Sequence, residues 1–117
     1  MKRILIVDDD TNLLSVLKSS LDKGGYKPVV TTSCEEGLKI FYDHLPDLVF
    51  LDINVGDEDG REMCRKIKAH ADYQHIPVIL MSANHDALGL FKNYGATDMI
   101  EKPFSIPDIL QKIQLHL

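Results

Sequence analysis

Short apolar, β-branched runs alternate along this chain with segments of helical periodicity. Such alternation is typical of βαβ units, in which parallel strands form a sheet that helices cover on both faces. Five runs qualify as strands: Arg3 to Val7, Pro28 to Thr31, Leu48 to Leu51, Val78 to Met81 and Met99 to Glu101. The central runs are too uniformly apolar for a sheet with one face in water. The pattern therefore predicts a doubly wound α/β fold around a five-stranded parallel sheet.

Apolar stripes between and after the strands predict the helices. The first stripe is followed by Gly24-Gly25, which predicts the end of its helix there. The stripe after the fourth strand is the weakest, because Gly89 lies inside it and costs roughly 1 kcal/mol relative to alanine. The residues expected to form these stripes are, in chain order, Leu13, Leu14, Leu17 and Leu21; Cys34, Leu38, Phe41, Tyr42 and Leu45; Met63, Cys64 and Ile67; Leu88, Leu90, Phe91 and Tyr94; and Ile106, Ile109, Leu110, Ile113 and Leu117.

Length and charge exclude several classes of protein. The 117 residues suit one compact domain spanning residues 1–117. The longest apolar runs are far shorter than the roughly 18 residues of a transmembrane helix, and the N-terminus lacks the apolar stretch of a signal peptide, so we expect a cytoplasmic protein without a membrane partner. With 13 Lys and Arg against 18 Asp and Glu, the net charge of −5 leaves no basic footprint for direct binding of nucleic acid.

The cysteines and histidines have no metal-site spacing. Cys34 and Cys64 form no CxxC pair, which favours buried free thiols over a disulfide or a zinc site. The histidines are scattered along the chain and are predicted to lie at the surface: His44, His70, His75, His85 and His116.

Polar side chains stand directly after four of the five predicted strands. They are three acids, a hydroxyl and an ammonium group: Asp8, Asp9, Asp52, Ser82 and Lys102. The carboxyl ends of parallel strands meet at one edge of a doubly wound sheet, where ligands bind, so we expect these groups to share that edge. Asp10 directly precedes the first helical stripe and is predicted to cap that helix.

This set of groups suits phosphoryl transfer to a carboxylate. Asp52 ends an apolar strand and is the predicted nucleophile, while Asp8 and Asp9 offer the hard oxygen ligands that Mg²⁺ prefers. Lys102 can pair with an anionic phosphoryl oxygen, and the Ser82 hydroxyl can donate a hydrogen bond to another. Without a metal ion, three close carboxylates are expected to raise one another's pKa values.

In these features the chain resembles the response regulator receiver domains of two-component signalling over nearly its whole length. The matching stretches are Ile4 to Asp10, Pro46 to Asp52 with Gly60 eight residues on, Ile76 to Ala83, and Gly95-Ala96 with Lys102 to Phe104. The resemblance implies a flavodoxin-like fold with strand order 2-1-3-4-5 and five helices. It also implies a signalling switch, rather than an enzyme with its own substrate, that takes phosphate on Asp52.

The family's properties extend these expectations to the partners and to single residues. The phosphodonor would be the phosphohistidine of a sensor histidine kinase or a phosphotransfer protein. Asp9 and Asp52 would bind Mg²⁺ directly, Asp8 largely through water, and the main-chain carbonyl of Asn54 would complete the protein ligands. The Lys102-Pro103 peptide bond would be cis.

The chain departs from the family pattern at three sites, one of which is the segment from Ser82 to Gly95, a residue or two shorter than is usual. Val55-Gly56 stands where the family usually has Met-Pro, which predicts a more flexible loop. Three acids follow it, and Asp57 to Asp59 are predicted to form a solvated turn that ends at Gly60. Met99 stands where the family typically places an aromatic residue that swings inward on phosphorylation, and methionine has no ring to switch. We therefore expect the output face, formed by the fourth helix, fifth strand and last helix, to signal differently.

Two alternative functions stay open at this point. A metal-dependent phosphatase of the haloacid dehalogenase type would use the Asp-x-Asp of Asp8 and Asp10, but it would want Thr or Val where Asn12 stands and a later acidic pair. A flavin-binding or phosphorylation-independent interaction module would need no phosphoacceptor, although carboxylates after the first strand would repel a flavin phosphate. The output partner or domain and a homodimer formed on phosphorylation also stay open.

Overall fold

The computed structural model describes the backbone of residues 1–117 and every side chain except that of Leu88. The strands are β1 (Arg3–Val7), β2 (Lys27–Thr31), β3 (Leu48–Asp52), β4 (Asn54–Val55), β5 (Glu58–Asp59), β6 (Val78–Ser82) and β7 (Asp98–Glu101). The helices are α1 (Thr11–Lys23), α2 (Cys34–His44), α3 (Gly60–Lys68), α4 (His85–Leu88) and α5 (Ile106–His116). Short 3-10 helices cover Ala71–Tyr73 and Phe91–Tyr94.

Five of the strands form one parallel sheet in the order β2-β1-β3-β6-β7. The remaining two, β4 and β5, pair with each other as an antiparallel hairpin. The predicted order 2-1-3-4-5 is therefore confirmed once this hairpin is left out. All residues of β3 and β6 are buried, as expected for strands that lie in the middle of a sheet covered on both faces.

Successive strand residues face opposite layers of helices. Leu5 and Val7 of β1 belong to the core beneath α2 and α3, whereas Ile4 and Ile6 belong to the core beneath α1 and α5. This alternation follows from the two-residue period of a strand. Cys34 and Cys64 are buried free thiols on the α2 and α3 side, as predicted. No helix of the described chain is long and apolar enough to cross a membrane.

Helix α1 forms as the sequence predicts. Its stripe of Leu14, Leu17 and Leu21 is buried, and the cap at Gly24 ends it. Asp10 caps its first turn by accepting a hydrogen bond at Oδ1 from the Leu13 amide at 3.1 Å. Asp10 therefore has the structural role that its position before the stripe predicted.

Three stripe predictions reach too far toward the surface. Leu45 ends α2 in a left-handed conformation with φ 42° and is 47% exposed, and Leu117 follows the end of α5 and is 46% exposed. Tyr42 is 40% exposed, and its ring contacts the buried Phe41 ring in an edge-on arrangement. Helical periodicity alone does not show where a helix stops, which explains Leu45 and Leu117. Tyr42 lies within α2, at the edge of its apolar stripe.

The segment from Leu88 to Tyr94 is not one helix. Helix α4 ends at Leu88, Gly89 is its C-cap, and a separate 3-10 helix follows from Phe91 to Tyr94. Leu90 lies between the two and is 53% exposed, so its predicted place in a buried stripe is wrong. The side chain of Leu88, which the same stripe includes, lies outside the described residues.

One of the five histidine predictions is wrong. The side chain of His116 is only 18% exposed, and its Nε2 lies 2.8 Å from Oδ2 of Asp98. Lys112 binds the same carboxylate oxygen at 2.9 Å, so α5 is joined to β7 by an ion pair and a histidine hydrogen bond. The other four histidines are exposed, as predicted.

Candidate functional site

The predicted site residues meet at the carboxyl edge of the sheet. Asp8 follows β1, Asp52 ends β3, Ser82 ends β6 and Lys102 follows β7. They adjoin a cleft of about 440 Å³, which is lined by Asp9, Asp52, Asn54, Ser82, Ala83, Asn84 and Lys102. Asp8 is fully buried beside it. The structure thus brings together every residue that the sequence nominated for this edge.

Three carboxylates form a compact cluster of oxygen atoms. Asp8, Asp9 and Asp52 each offer one oxygen, and these three oxygens lie within 4.8 Å of one another. Asp8 and Asp52 are buried, whereas Asp9 is exposed and faces the cleft. A small hard cation such as Mg²⁺ prefers oxygen ligands and usually keeps several waters, so this donor set fits it.

The Lys102 ammonium connects two of these acids. Its Nζ lies 2.7 Å from Oδ2 of Asp8 and 3.1 Å from Oδ2 of Asp52. The lysine side chain is 22% exposed, so this cation is largely withdrawn from water. A fully buried carboxylate such as Asp8 is tolerated only when a partner compensates its charge. Lys102 supplies that compensation.

Burial and charge act together on the pKa values of the site. Burial raises the pKa of the Asp52 carboxyl, the negative charge of Asp8 raises it further, and Lys102 opposes both. The prediction that the carboxylates perturb one another is therefore confirmed for Asp52, although burial is the larger cause. Burial alone would lower the pKa of the Lys102 ammonium, but its bonds to Asp8 and the charge of Asp52 outweigh burial and raise it.

Main-chain amides orient each carboxylate. Oδ1 of Asp8 accepts a hydrogen bond from the Asp10 amide at 2.9 Å, and Oδ2 of Asp9 accepts one from the Gly56 amide at 3.2 Å. Oδ1 of Asp52 accepts a long bond from the Asn54 amide at 3.4 Å. These donors fix the directions in which the remaining carboxylate oxygens can bind other groups.

Ser82 and Asn84 also line the cleft. The Ser82 hydroxyl oxygen accepts a hydrogen bond from the Asn84 amide at 3.0 Å, so its own hydrogen remains available to donate. The Asn84 side chain accepts a bond from the Ala87 amide and thereby caps α4. His85 is exposed and pairs with Glu101 at 3.5 Å, outside the cleft lining.

The acidic segment after Asp52 is a hairpin and not the predicted solvated turn. Asn54 pairs with Asp59 and Val55 pairs with Glu58. Asp59 caps α3 by accepting a bond from the Arg61 amide at 2.9 Å, and Glu58 accepts bonds from the start of α2. The prediction failed because two of the three acids find backbone donors at helix ends, and only Asp57 is exposed.

Sequence reasoning could have found the cap at Asp59 but not the role of Glu58. Asp59 stands directly before Gly60 and the Met63 stripe, which is an ordinary N-cap position. Glu58 binds amides 23 and 24 residues earlier in the chain, and a single sequence carries no signal of that pairing.

Gly60 marks a close approach between the hairpin and the end of β3. A Cβ atom on Gly60 would lie 1.9 Å from the main-chain oxygen of Asp52. The Gly60 amide also donates a 2.7 Å hydrogen bond to the carbonyl of Ile53. The residue eight positions after Asp52 therefore has to lack a side chain.

Two further predictions concern Met99 and the peptide bond after Lys102. Met99 is half-buried and packs against the core on the α2 and α3 side, to which Phe91 and Tyr94 also pack. The Lys102–Pro103 peptide bond is cis, as predicted.

The comparisons with known protein families and with curated proteins indicate the same family. The family model described as "Response regulator receiver domain" matches residues 4–114. The transcriptional regulatory protein YxdJ of Bacillus subtilis (strain 168) is 37% identical over 117 residues, which are 100% of this chain and 51% of that protein. The chain spans about half the length of the curated relatives it matches.

Solved structures agree with that comparison. A CheY-like response regulator receiver domain protein from Methanospirillum hungatei JF-1 is 33% identical with a TM-score of 0.88, covering 98% of this chain and 92% of that one. The chemotaxis protein CheY4 of Vibrio cholerae has a TM-score of 0.92 at 23% identity, covering 100% of this chain and 99% of that one. The second likeness concerns the fold alone, and it supports the flavodoxin-like architecture.

Proposed function

This chain belongs to the response regulator receiver domain family, and we propose that residues 1–117 form one receiver domain that accepts a phosphoryl group on Asp52. It is a switch of two-component signalling. The phosphodonor is the phosphohistidine of a sensor histidine kinase or phosphotransfer protein, and the chain catalyses its own phosphorylation and dephosphorylation.

One observation carries this proposal: a single ammonium group, Nζ of Lys102, bonds both the buried Asp8 and the strand-end Asp52 beside the exposed Asp9. A structural ion pair needs one carboxylate for one cation. Here two buried or nearly buried acids share the lysine, and a third adjoins them, so negative charge exceeds positive charge at the edge of an open cleft. Such an excess suits a site that takes up a cation together with a phosphoryl group.

The chemistry follows from the positions of the side chains. An oxygen of the ionised Asp52 carboxylate attacks the phosphorus atom, a P–O bond forms, and the P–N bond to the donor imidazole breaks. The electron pair of that bond leaves with the imidazole nitrogen, which takes a proton from water or from the donor protein. Lys102 and Ser82 contact the phosphoryl oxygens, the lysine by charge and the serine by donating a hydrogen bond.

Asp9, Asp52 and the main-chain carbonyl of Asn54 would hold Mg²⁺, with Asp8 acting largely through water. When bound, the metal supplies positive charge that offsets the developing charge on the phosphoryl oxygens. The oxygen-rich donor set described above supports this assignment.

The two alternatives lack support. The haloacid dehalogenase chemistry would need Asp10 to act on the substrate, but its side chain caps α1, and Lys102 binds Asp8, the residue that would have to be the nucleophile. A flavin phosphate would meet the carboxylates of Asp8, Asp9 and Asp52 at the edge where cofactors bind in this architecture.

The output partner, the cellular location and the oligomeric state are also part of the proposal. The relatives are about twice as long as this chain, which supports a pairing with an output domain or partner. A cytoplasmic location and direct contact with neither membrane nor nucleic acid are predictions from the composition. A phosphorylation-dependent homodimer is one outcome that a solution mass with beryllofluoride would reveal.

Phosphoramidate tests the proposed function, because it has the P–N bond of a phosphohistidine. With Mg²⁺ it should add one phosphoryl group to the wild-type chain, and chelation of the metal should prevent this. Asp52→Asn should remain unlabelled, whereas Asp57→Asn, which removes an exposed acid from the same hairpin, should be labelled like the wild type. Equal labelling of Asp52→Asn would refute the proposal.

A further inference from the structure

The β4–β5 hairpin presents two main-chain groups to the candidate site. The Asn54 amide bonds Oδ1 of Asp52 at 3.4 Å, and the Gly56 amide bonds Oδ2 of Asp9 at 3.2 Å. Each hairpin strand has only two residues, and a hairpin of that size is not stable by itself in water. Its position relative to the site therefore depends on contacts with the rest of the molecule.

The first strand of the hairpin and the residue before it are anchored in the core. Val55 is 1% exposed, and the Gly60 amide donates to the Ile53 carbonyl at 2.7 Å. The hairpin tip at Gly56 is exposed and has φ 60°. Both residues of the second strand are only half-buried, so that strand depends on its side chains for attachment.

Glu58 attaches the second hairpin strand to α2. Its Oε1 accepts a hydrogen bond from the Cys34 amide at 2.8 Å, and its Oε2 accepts one from the Glu35 amide at 3.0 Å. These are the first two amides of α2, which have no partners within the helix. Ser33 caps the third, the Glu36 amide, at 3.2 Å. A carboxylate that binds two amides at a helix start makes charge-assisted bonds with a defined direction.

The surroundings show that these bonds determine where the Glu58 carboxylate lies. The groove between α2 and α3 contains further acids, namely Glu35, Asp59 and Glu62, with Lys66 as its cation. These acids repel Glu58, although Arg61 pairs with Asp59 and Arg65 pairs with Glu62. The Glu58 carboxylate points to the α2 amides, and its two hydrogen bonds account for that direction.

We infer that Glu58 is a positioning residue for the phosphoacceptor site: by bonding the first amides of α2, it holds the hairpin so that the main-chain groups of Asn54 and Gly56 face Asp52 and Asp9. This role rests on the proposed function. It links α2 to the loop that follows the phosphoacceptor, through a residue that does not itself line the cleft.

Two matched controls separate positioning from helix stability and from charge. Ser33→Ala removes the side-chain cap of the same helix and leaves the hairpin untouched. Glu35→Gln removes a negative charge from the same groove and helix end. Among the described side chains, that of Glu35 makes no hydrogen bond to the hairpin. Glu58→Ala removes both bonds, and Glu58→Gln keeps one acceptor oxygen.

Binding of Mg²⁺ alone, measured by calorimetry on the folded chain, gives the first readout. We expect Glu58→Ala to raise the Mg²⁺ Kd about tenfold, Glu58→Gln to raise it by an intermediate factor, and both controls to stay within about twofold of the wild type. The second readout is hydrogen exchange of the Gly56 amide without metal, which should accelerate in both Glu58 variants and in neither control. Should Glu58→Ala not fold, Glu58→Gln supports the same comparison.

Three outcomes would decide against the positioning role. They are an unchanged Kd with unchanged Gly56 exchange in Glu58→Ala, effects of equal size in Ser33→Ala, or effects of equal size in Glu35→Gln. Failure of the proposed function looks different, because the wild type would then bind no Mg²⁺ and take up no phosphate. Exchange of the Gly56 amide without metal would still decide whether Glu58 holds the hairpin.

Discussion

Replacing Gly60 by alanine should damage both the stability of the fold and the phosphoacceptor site. The added Cβ would lie 1.9 Å from the Asp52 main-chain oxygen, which is about 1.5 Å short of the 3.4 Å at which ordinary contact begins. The oxygen belongs to the backbone and the position of the Cβ is fixed by it, so no flexible side chain can give way. Overpacking of this kind costs up to about 3 kcal/mol, and alanine returns up to about 1 kcal/mol through its higher helix propensity. We expect a net loss of about 2 kcal/mol in the free energy of unfolding.

Urea unfolding followed by circular dichroism measures that loss, and labelling by phosphoramidate measures the damage to the site. Because the strain falls on the residue that carries the reacting carboxylate, a displacement of about 1 Å should slow labelling by about 100-fold. Gly89→Ala is the control, since its Cβ would lie no closer than 3.4 Å to any atom outside its neighbours. A Gly60→Ala variant with wild-type stability and labelling rate would refute the reasoning.

Other perturbations test the electrostatics and the buried thiols. His116 and Lys112 outweigh burial and lower the pKa of Asp98, so this carboxylate stabilises the fold above about pH 4 and ceases to do so as the pH falls through its folded pKa. Asp98→Asn should therefore cost about 1–2 kcal/mol in urea unfolding at pH 7, and a difference that persists at low pH would contradict this. Burial and the charge of Asp8 raise the pKa of Asp52 in the folded chain. The protonated carboxyl therefore contributes to the stability of the fold at low pH, and this contribution is lost as the pH rises through the folded pKa. Asp52→Asn should accordingly have a higher Tm than the metal-free wild type at neutral pH. Addition of Mg²⁺ should reduce the difference in Tm between the two proteins. A lower Tm of Asp52→Asn without metal would contradict this explanation. Burial raises the pKa of both cysteine thiols to about 11, so a thiol reagent at neutral pH should label them in urea and not in the native chain.

The sequence predicted the sheet well because its signals are local. Each strand of the sheet has an apolar centre, and the groups that follow the strands meet at one edge for a reason of geometry alone. The observed strands extend at most one residue beyond the predicted runs at either end, as with Asp52 at the end of β3 and Asp98 at the start of β7. The same logic brought Asp8, Ser82 and Lys102 together from distant parts of the chain.

The failures concern contacts between residues distant in sequence. Glu58 reads as one acid of a solvated turn, but it binds amides of α2, and His116 reads as a surface residue, but it binds Asp98 on β7. In both cases a hydrogen-bond partner from a distant part of the chain determines the position of a polar side chain, and local propensity does not predict that position. Leu45 and Leu117 fail for another reason, because an apolar residue just past a helix end continues the stripe in sequence while the backbone has already left it.

The identity of the phosphorylated residue is the most direct test of the account. Borohydride reduces an aspartyl phosphate to the alcohol, so reduction of the labelled chain followed by peptide mapping marks the residue that carried the phosphoryl group. We predict that Asp52 is the one modified aspartate when the chain is treated with phosphoramidate and Mg²⁺, and that no aspartate is modified when Mg²⁺ is absent. A mark on Asp8, Asp9 or Asp57, or a labelled chain with no reducible acyl phosphate, would contradict it.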